Sequence, residues 1–251
     1  LELRPSYADA MIGLGLVYAD VGRGSEAIAS IKQGIAIKPG DIVAKLALGS
    51  AYARLGRHDD EILVYREVLE LAPKTGIAFY QLGRAYMATG RHSEAAEAYV
   101  SALKFDGPET PARFELGQTY LSLREYKRAS SALQKVVKRD PEYKDAHHFL
   151  GIAHHGNGKL KDALKALDTA LGQDSERADT HFYKGMVHFR LQQADEALQA
   201  FDQTIERKPN MSDAWLGRAL TRFTTQAHEL AASDALTAIE LKQWLAASPH
   251  E

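Results

Sequence analysis

The stretch that decides the fold runs from Tyr80 to Tyr99 and reads YQLGRAYMATGRHSEAAEAY. Small and apolar residues recur there at the helical spacing i, i+3, i+4 and i+7, and they form two stripes. The first stripe is Phe79, Leu82, Gly83 and Tyr86, and the second is Ala95, Ala98, Tyr99 and Ala102. Gly90 separates the stripes, and Ser93–Glu94 is typical of a helix start. The stretch therefore predicts two helices joined by a short turn.

Gly83 lies inside the first predicted helix, where a glycine costs about 1 kcal/mol relative to alanine. Gly83 and Ala95 are small residues on facing stripes, so the two helices can approach closely while Tyr86 and Tyr99 fill the space beside them. We expect this packing to offset the cost of the glycine. Gly90, by contrast, is expected to be a turn residue.

The same pattern returns every 34 residues. Six of the 19 glycines in the chain keep this step, namely Gly15, Gly49, Gly83, Gly117, Gly151 and Gly185. Tyrosines keep it at Tyr18, Tyr52, Tyr86 and Tyr120, and alanines keep it at Ala27, Ala95, Ala129, Ala163, Ala197 and Ala231. Glu61 is the one departure from the alanine series. A repeat of this length predicts an array of stacked helix pairs.

The order Leu-Gly, Tyr, Ala, a large residue, Ala and Pro within 34 residues resembles the tetratricopeptide repeat (TPR). The resemblance implies an all-α fold, a right-handed α-solenoid of about seven helix–turn–helix repeats. Repeats 1 to 7 are expected at 8–41, 42–75, 76–109, 110–143, 144–177, 178–211 and 212–245. The sequence opens with Leu1 and not with Met, and residues 1–7 match the end of a preceding second helix. We therefore interpret it as beginning inside a longer array, with 246–251 as a C-terminal tail.

Composition excludes several classes of function. The chain has 251 residues with 31 basic and 33 acidic side chains, so no basic excess favours nucleic acid or an anionic membrane as a partner. No apolar run approaches the length of a membrane span. There is no cysteine, which excludes thiol chemistry and cysteine-based zinc sites. These features are typical of a soluble protein in a reducing compartment such as the cytoplasm, with the periplasm as the alternative.

The sequence carries no pattern typical of catalysis or cofactor binding. The segment Gly151–Asn157 has the first spacing of a phosphate-binding loop but lacks its lysine. The segment that begins at His228 lacks the second histidine of a zinc-protease helix. We therefore expect a chain that is not an enzyme and that holds no cofactor and no metal.

Four histidines occupy places that are large aromatic residues in other repeats, namely His147, His154, His181 and His188. We predict that they pack as flat rings in place of Trp or Tyr. One alternative is a metal site, for which aligned imidazoles alone supply no geometry and no second shell of carboxylates. The other is a pH-sensitive contact between repeats 5 and 6, because two protonated imidazoles repel each other.

The last repeats depart from the pattern. The substituted positions are Lys184 and Arg218 for leucine, His154, His188 and Arg222 for tyrosine, Ala219 for glycine, and Ala235 for a large residue. Terminal repeats are commonly atypical because one of their faces meets water. Trp244 and Leu245 are expected to continue a helix that covers this end. The alternative is that this end docks another molecule.

In the TPR family the first helices of the repeats line a concave groove, and the resemblance implies the same here. The lining is apolar and aromatic with scattered charges, and repeat 7 adds Leu216, Leu220 and Phe223. Aromatic residues and Arg are the usual anchors of interfaces, and Met adapts to varied partners. The predicted contacts are Tyr80, Arg84, Phe114, Gln118, Phe149, Phe182, Tyr183, Met186 and Phe189. The alternative is that these side chains only pack against neighbouring first helices.

Three functions are compatible with these observations. The favoured one is a non-enzymatic scaffold whose groove binds a peptide or an amphipathic helix of a partner protein. The second is a regulatory or substrate-recruiting arm of a larger enzyme, which the full open reading frame would reveal. The third is a structural subunit that associates head to tail through its repeat ends. The sequence does not name the partner.

Overall fold

Fourteen α-helices make up the secondary structure of residues 5–247, the part of the chain that the computed structural model describes, with side chains described over residues 7–243. They are α1 (Pro5–Asp20), α2 (Gly24–Ile37), α3 (Ile42–Arg54), α4 (His58–Leu71), α5 (Gly76–Ala88), α6 (His92–Lys104), α7 (Glu109–Ser122), α8 (Tyr126–Arg139), α9 (Ala146–Gly156), α10 (Leu160–Gln173), α11 (Ala178–Arg190), α12 (Ala194–Arg207), α13 (Ser212–Thr224) and α14 (His228–Ala247). The described residues contain no strand, and the predicted all-α class of tandem helix pairs is confirmed. None of their helices has the length and apolar character needed to cross a bilayer.

The helices alternate with the period read from the sequence. The first helices α3, α5, α11 and α13 begin at residues 42, 76, 178 and 212, in steps that are multiples of 34. Helix α1 begins at Pro5, where the fixed φ of proline suits a first helical turn. The backbone of α14 continues through Trp244 and Leu245, as predicted. Residues 1–4 and 248–251, which belong to the predicted tails, lie outside the described residues, and the repeat boundaries stay a prediction.

The chain divides after Leu123 into an N-terminal segment with α1–α7 and a C-terminal segment with α8–α14. Within each segment every helix packs on the helix that follows it in the chain. First helices also contact one another, α1 with α3 and α5 with α7 in the N-terminal segment, and α9 with α11 and α11 with α13 in the C-terminal one. Within each segment, neighbouring first helices therefore share a surface.

Three of the repeating glycines inside the first helices, Gly49, Gly83 and Gly185, mark places where a ring from the second helix presses on the backbone. A Cβ atom built at Gly83 would lie 2.7 Å from the ring of Tyr99. The same contact would be 2.5 Å between Gly49 and Tyr65. The predicted close approach of the two helices is therefore confirmed, and the ring of Tyr99 sits directly against Gly83.

The turn between the two helices of each repeat requires one residue in the left-handed region. Gly90 has φ +72°, which confirms its predicted role as a turn residue. The residues in the same slot of the other repeats are Gly22, Gly56, Arg124, Gly158, Gln192 and Gln226, and all have φ between 58° and 80°. Arg124, Gln192 and Gln226 thus adopt a left-handed backbone conformation that is sterically easiest for glycine.

A stacking contact between residues five apart links the end of a first helix to the start of the second. The guanidinium of Arg23 lies 4.6 Å from the ring centre of Tyr18, and the guanidinium of Arg91 lies 4.4 Å from that of Tyr86. In repeat 6 the same pair of places holds His188 and Gln193, and a hydrogen bond of 2.9 Å joins His188 Nδ1 to Gln193 Oε1. The residue at the tyrosine position therefore contacts the residue five places later, across the turn, whether the pair is Tyr with Arg or His with Gln.

Candidate partner-binding surface

In the N-terminal segment the predicted contacts lie on two first helices that touch each other. Tyr80 and Arg84 are on α5, and Phe114 and Gln118 are on α7. Arg84 is exposed, and the other three are half-buried. The ring centre of Tyr80 lies 6.0 Å from that of Tyr99. These residues have the partial exposure that a contact surface needs.

Arg84 stands near two carboxyl groups with which it forms no ion pair in the described part of the chain. Its Nη1 donates a 3.3 Å hydrogen bond to Gln81 Oε1. Burial raises the pKa of Glu115, and the positive charge of Arg84 partly opposes this shift. Burial likewise raises the pKa of Glu61, opposed by His58 and then Arg84. Arg84 therefore keeps donors free in a partly desolvated setting, where charge-assisted hydrogen bonds are strong.

Two tyrosine hydroxyls lie beneath this surface. Burial raises the pKa of Tyr65 to about 12, and its hydroxyl lies 3.4 Å from Ser50 Oγ. The hydroxyl of Tyr99 is buried and has no hydrogen-bond partner among the described residues. The sequence predicts that the ring of Tyr99 packs between the helices, but periodicity does not show what its hydroxyl meets.

In the C-terminal segment the aromatic residues form one connected group. The ring centres of Phe182 and Tyr183 are 5.4 Å apart, and Phe182 lies 6.1 Å from Phe201 in the core. His148 bridges the group, with its ring centre 5.1 Å from Phe149 and 6.0 Å from Tyr183. Phe149, Phe182 and Tyr183 are all half-buried, so each ring both packs on its neighbours and presents an edge to solvent.

A cavity of about 570 Å³ lies beside Phe189, between α11 and α13. Arg190 and three threonines, Thr221, Thr224 and Thr225, contribute to its walls. Phe223, further along α13, is 63% exposed. Among the predicted residues, Phe189 therefore borders a hollow. Met186 is half-buried on the same helix as Phe189.

Apolar side chains of repeat 7 extend this surface. Leu216 and Leu220 are exposed along α13 together with Phe223. The ring centre of Phe223 lies 5.4 Å from that of His228. An exposed apolar row of this kind is typical of an interaction surface.

Three of the four aligned histidines, His154, His181 and His188, are buried, whereas His147 is half-buried. Three of the four act as hydrogen-bond donors, namely His147, His181 and His188. His181 Nε2 lies 2.9 Å from the carbonyl oxygen of Ser175, and His147 Nε2 lies 3.1 Å from that of Pro141. Trp215 Nε1 donates to the carbonyl oxygen of Pro209 at 2.8 Å in the same place of repeat 7. The imidazole thus reproduces both the ring and the N–H group of tryptophan. No group of three or more metal-ligating side chains occurs among the described residues.

Burial, and not repulsion between imidazoles, governs the titration of the neighbouring histidines. It lowers the pKa of His148 to about 4, with Arg177 as a second cause. His148 Nδ1 lies 2.8 Å from Thr180 Oγ1. Burial is also the main reason that the pKa values of His154 and His155 are lowered. These imidazoles are therefore neutral at pH 7.

The atypical seventh repeat holds a buried ionic cluster that the sequence analysis missed. Asp234 is 2% exposed, and both Arg218 and Arg222 donate hydrogen bonds to its carboxylate. Arg218 also reaches Asp202 at 2.6 Å and stacks on the ring of Trp215. The two arginines stand where leucine and tyrosine stand in other repeats, so an ionic cluster replaces apolar packing there.

Comparison with known families agrees with this architecture. A family model described as the tetratricopeptide repeat matches residues 114–180 and 182–249, and a second model of the same description matches residues 43–75 and 77–107. The chain belongs to the tetratricopeptide repeat family. No curated protein matches this TPR chain significantly.

Several solved TPR structures are similar. The protein YrrB, described as a TPR protein with an unusual peptide-binding site, is 21% identical, with a TM-score of 0.68 over 73% of this chain and 95% of its own. MamA is 25% identical, with a TM-score of 0.60 over 66% of this chain and 98% of its own. A TPR protein from Parabacteroides merdae is 16% identical, with a TM-score of 0.68 over 94% of this chain and 93% of its own. The similarity to YrrB and to the Parabacteroides merdae protein concerns the fold alone.

Proposed function

We propose that this TPR chain is a non-enzymatic scaffold whose first-helix surface binds an extended peptide or an amphipathic helix of a partner protein. The observation that carries the proposal is the row on α11 and α13, where Phe189 borders a cavity of about 570 Å³ and Phe223 is 63% exposed. An aromatic edge beside a hollow is the usual setting of an interface anchor.

The cavity offers polar groups as well as apolar area. Arg190 Nη1 donates a 2.7 Å hydrogen bond to the carbonyl oxygen of His155, which fixes the guanidinium at the cavity wall. The hydroxyls of Thr221 and Thr224 donate to backbone carbonyls, which leaves their lone pairs as acceptors. A bound peptide would find donors from Arg190 and acceptors from the threonines, and such pairing fixes the orientation of a chain in its groove.

The surface of the N-terminal segment supplies a second set of contacts. Tyr80 and Phe114 would contribute apolar area, and Arg84 a charge-assisted hydrogen bond to a partner carbonyl or carboxylate. Gln118 would add an amide that can both donate and accept. The description of YrrB as a TPR protein with a peptide-binding site supports a peptide as the class of ligand.

The experiment uses peptides selected from a random display library against the whole chain. Their affinity is then measured by fluorescence anisotropy on wild type, on Phe182→Ala/Phe189→Ala and on Phe223→Ala. We expect each variant to weaken binding at least tenfold, because truncating an aromatic anchor commonly costs that much. Phe223→Ala is included because Phe182 also packs on Phe201, whereas Phe223 is mostly exposed.

The matched control is Leu63→Ala/Val100→Ala, which removes exposed apolar side chains from the second helices α4 and α6. It should leave the affinity unchanged. Peptides that bind the aromatic variants and wild type equally well would show that this surface is not the binding site.

A second candidate function, head-to-tail association, is favoured by the apolar residues exposed on α1 and α14. On α1 they are Leu14, Leu16 and Val17, with Val21 directly after its end, and on α14 they are Leu230, Leu236 and Ile239. Sedimentation velocity from low to high micromolar concentration tests this function. A single monomeric species throughout that range would exclude it.

A further inference from the structure

Helix α8 breaks the charge pattern of its own array. It carries five basic residues and no acidic one, the five being Lys127, Arg128, Lys135, Lys138 and Arg139. Every other second helix has an acidic residue in its first turn, namely Glu26, Asp59, Glu94, Asp162, Asp195 and Glu229 among others. An acid there interacts favourably with the positive end of the helix dipole. In α8 the nearest acid is the N-cap residue Glu125, which is paired with Arg128.

The lysines of α8 continue onto the neighbouring second helix, α10. Lys127 and Lys138 are exposed and lie at i−7 and i+4 from Gln134, so the three share one side of α8. On α10, Lys161 and Lys165 are exposed one turn apart, and Lys159 precedes the first helical residue. We name Lys127, Lys138, Lys159, Lys161 and Lys165 the basic patch. None of these five lysines forms an ion pair with any described residue.

A cavity of about 320 Å³ opens between the two helices of the basic patch. Gln134 of α8, His147 and His154 of α9, and Lys159 and Lys165 at α10 contribute to its lining. The lining also includes one acid, and this is Asp162. The volume exceeds that of a single amino-acid side chain, and two ammonium groups border it.

His154 leaves a polar atom unsatisfied next to this cavity. Its side chain is buried, and its Nδ1 has no hydrogen-bond partner among the described residues. In repeat 6 the corresponding Nδ1 of His188 is hydrogen-bonded to Gln193. Repeat 5 has Lys159 in place of that glutamine, and an ammonium group cannot accept a hydrogen bond. His154 Nδ1 therefore lacks the acceptor that His188 Nδ1 has in the next repeat, and buried polar atoms usually have a partner.

We propose that the basic patch and its cavity form a second interaction surface, which binds an acidic segment of a partner protein with one Asp or Glu side chain in the cavity between Lys159 and Lys165. Its lysines lie on or next to second helices, and none of the predicted first-helix contacts lines its cavity, so it is separate from the proposed first-helix site. A carboxylate supplies both a negative charge to pair with the lysines and an acceptor for His154 Nδ1.

A protein segment fits these observations better than a larger polyanion does. The whole chain carries a net charge of −2, so its long-range field does not attract nucleic acid or an anionic bilayer. The basic patch is confined to α8 and the start of α10, and two of its lysines, Lys159 and Lys165, border a cavity large enough for one side chain. A short acidic stretch can satisfy both features at once.

The test measures binding of a fluorescein-labelled hexaglutamate peptide to the whole chain by fluorescence anisotropy at about 50 and about 150 mM salt. The exposed charges are screened more weakly at the lower salt concentration and more strongly at the higher one. We expect saturable binding that weakens with salt, and no binding of a hexaglutamine peptide. The variant Lys127→Gln/Lys138→Gln/Lys165→Gln should weaken the affinity about tenfold, since each exposed ion pair contributes modestly. Asp162→Asn, which removes the one acid of the lining, should tighten binding about twofold.

The matched control, Lys32→Gln/Lys74→Gln/Lys242→Gln, removes three exposed lysines elsewhere and changes the net charge equally. It should retain wild-type affinity, and so should the first-helix variant Phe182→Ala/Phe189→Ala, which separates this proposal from the proposed function. Equal weakening of hexaglutamate binding by both lysine triples would overturn the proposal. The absence of hexaglutamate binding at about 50 mM salt would also overturn it, because exposed charges act over about a nanometre or more at or below roughly tenth-molar salt. Tighter, patch-dependent binding of oligothymidylate or of phosphatidylserine vesicles would also overturn it.

Discussion

Arg218 donates two hydrogen bonds to the buried carboxylate of Asp234, from Nε to Oδ2 at 2.9 Å and from Nη2 to Oδ1 at 2.7 Å. The two residues lie on α13 and α14, so the pair joins both helices of the last repeat. Arg222 adds a third bond to the same carboxylate. A buried carboxylate is tolerated only when it is paired and hydrogen-bonded, and here both oxygens are.

The first prediction concerns this ionic cluster. Asp234→Ala should destabilise the last repeat by about 3 kcal/mol, because it leaves two arginines with a lost partner. The double variant Arg218→Leu/Asp234→Ala should recover part of that loss, since leucine occupies this place in other repeats, while Arg222 still lacks its partner. Hydrogen exchange of the amides in α13 and α14 measures the effect locally, as an array of repeats can unfold in parts.

Asp202→Ala is the control for that prediction, because Asp202 pairs with the same arginine but is largely exposed. Its cost should stay below about 1 kcal/mol. A double variant no more stable than Asp234→Ala alone would show that the cluster does more than replace apolar packing.

The second prediction is a loss of stability in mild acid. The folded pKa of His148 is lowered to about 4, whereas the unfolded imidazole titrates near 6.5. As pH falls through this window the unfolded chain binds a proton that the folded chain refuses, so unfolding becomes easier. By linkage His148 alone should cost roughly 2 kcal/mol between pH 7.5 and pH 5.

Urea unfolding of wild type and His148→Gln at the two pH values tests this prediction. The variant should be less stable than wild type at pH 7.5 but should lose less on acidification. The groups that face the imidazole are Arg177, which opposes protonation, and Asp179 and Asp145, which favour it. An identical loss in both proteins would contradict the assignment to His148.

The fold could be predicted because its determinants are local and recur. Gly83 and Tyr99 lie sixteen residues apart, and the same contact returns as Gly49 with Tyr65. These repeats therefore contain the same local packing signal. A substitution at one position of one repeat leaves the 34-residue period recognisable in the sequence. Where glycine is missing from the turn, as at Gln192, the neighbouring repeats still enforce the left-handed conformation.

The candidate site could be predicted only in part. The period places Phe189 and Tyr183 on a first helix, but it does not say that the cavity lies beside Phe189. The pairing of Asp234 with Arg218 could not be read at all, because it occurs in the repeat where the pattern fails. The pattern shows that Ala235 replaces a large residue, but the structurally important change is the buried carboxylate of its neighbour, Asp234.

The third prediction concerns the turn residue Gln192, which has φ +60°. Gln192→Gly should stabilise the chain by about 0.5–1 kcal/mol, since relief of the left-handed strain exceeds the extra entropy of glycine in the unfolded chain. Gln193→Gly is the matched control, because Gln193 has φ −94° and is hydrogen-bonded to His188. It should be destabilising in the same urea titration, and a gain from both substitutions would refute the strain argument.

The fourth prediction concerns Glu61, the acid in the alanine series. Burial raises its pKa, which means that the folded chain holds the carboxylate at a cost. Glu61→Ala should therefore stabilise the chain by about 1 kcal/mol at pH 7, as substitutions toward the repeat pattern commonly do. The gain should shrink as pH falls toward 4.5, because the unfavourable charge then disappears from wild type as well. Glu70→Ala, an exposed site on the same helix, should change little. A gain that is constant from pH 7 to pH 4.5 would show that packing, and not the buried charge, distinguishes Glu61 from alanine.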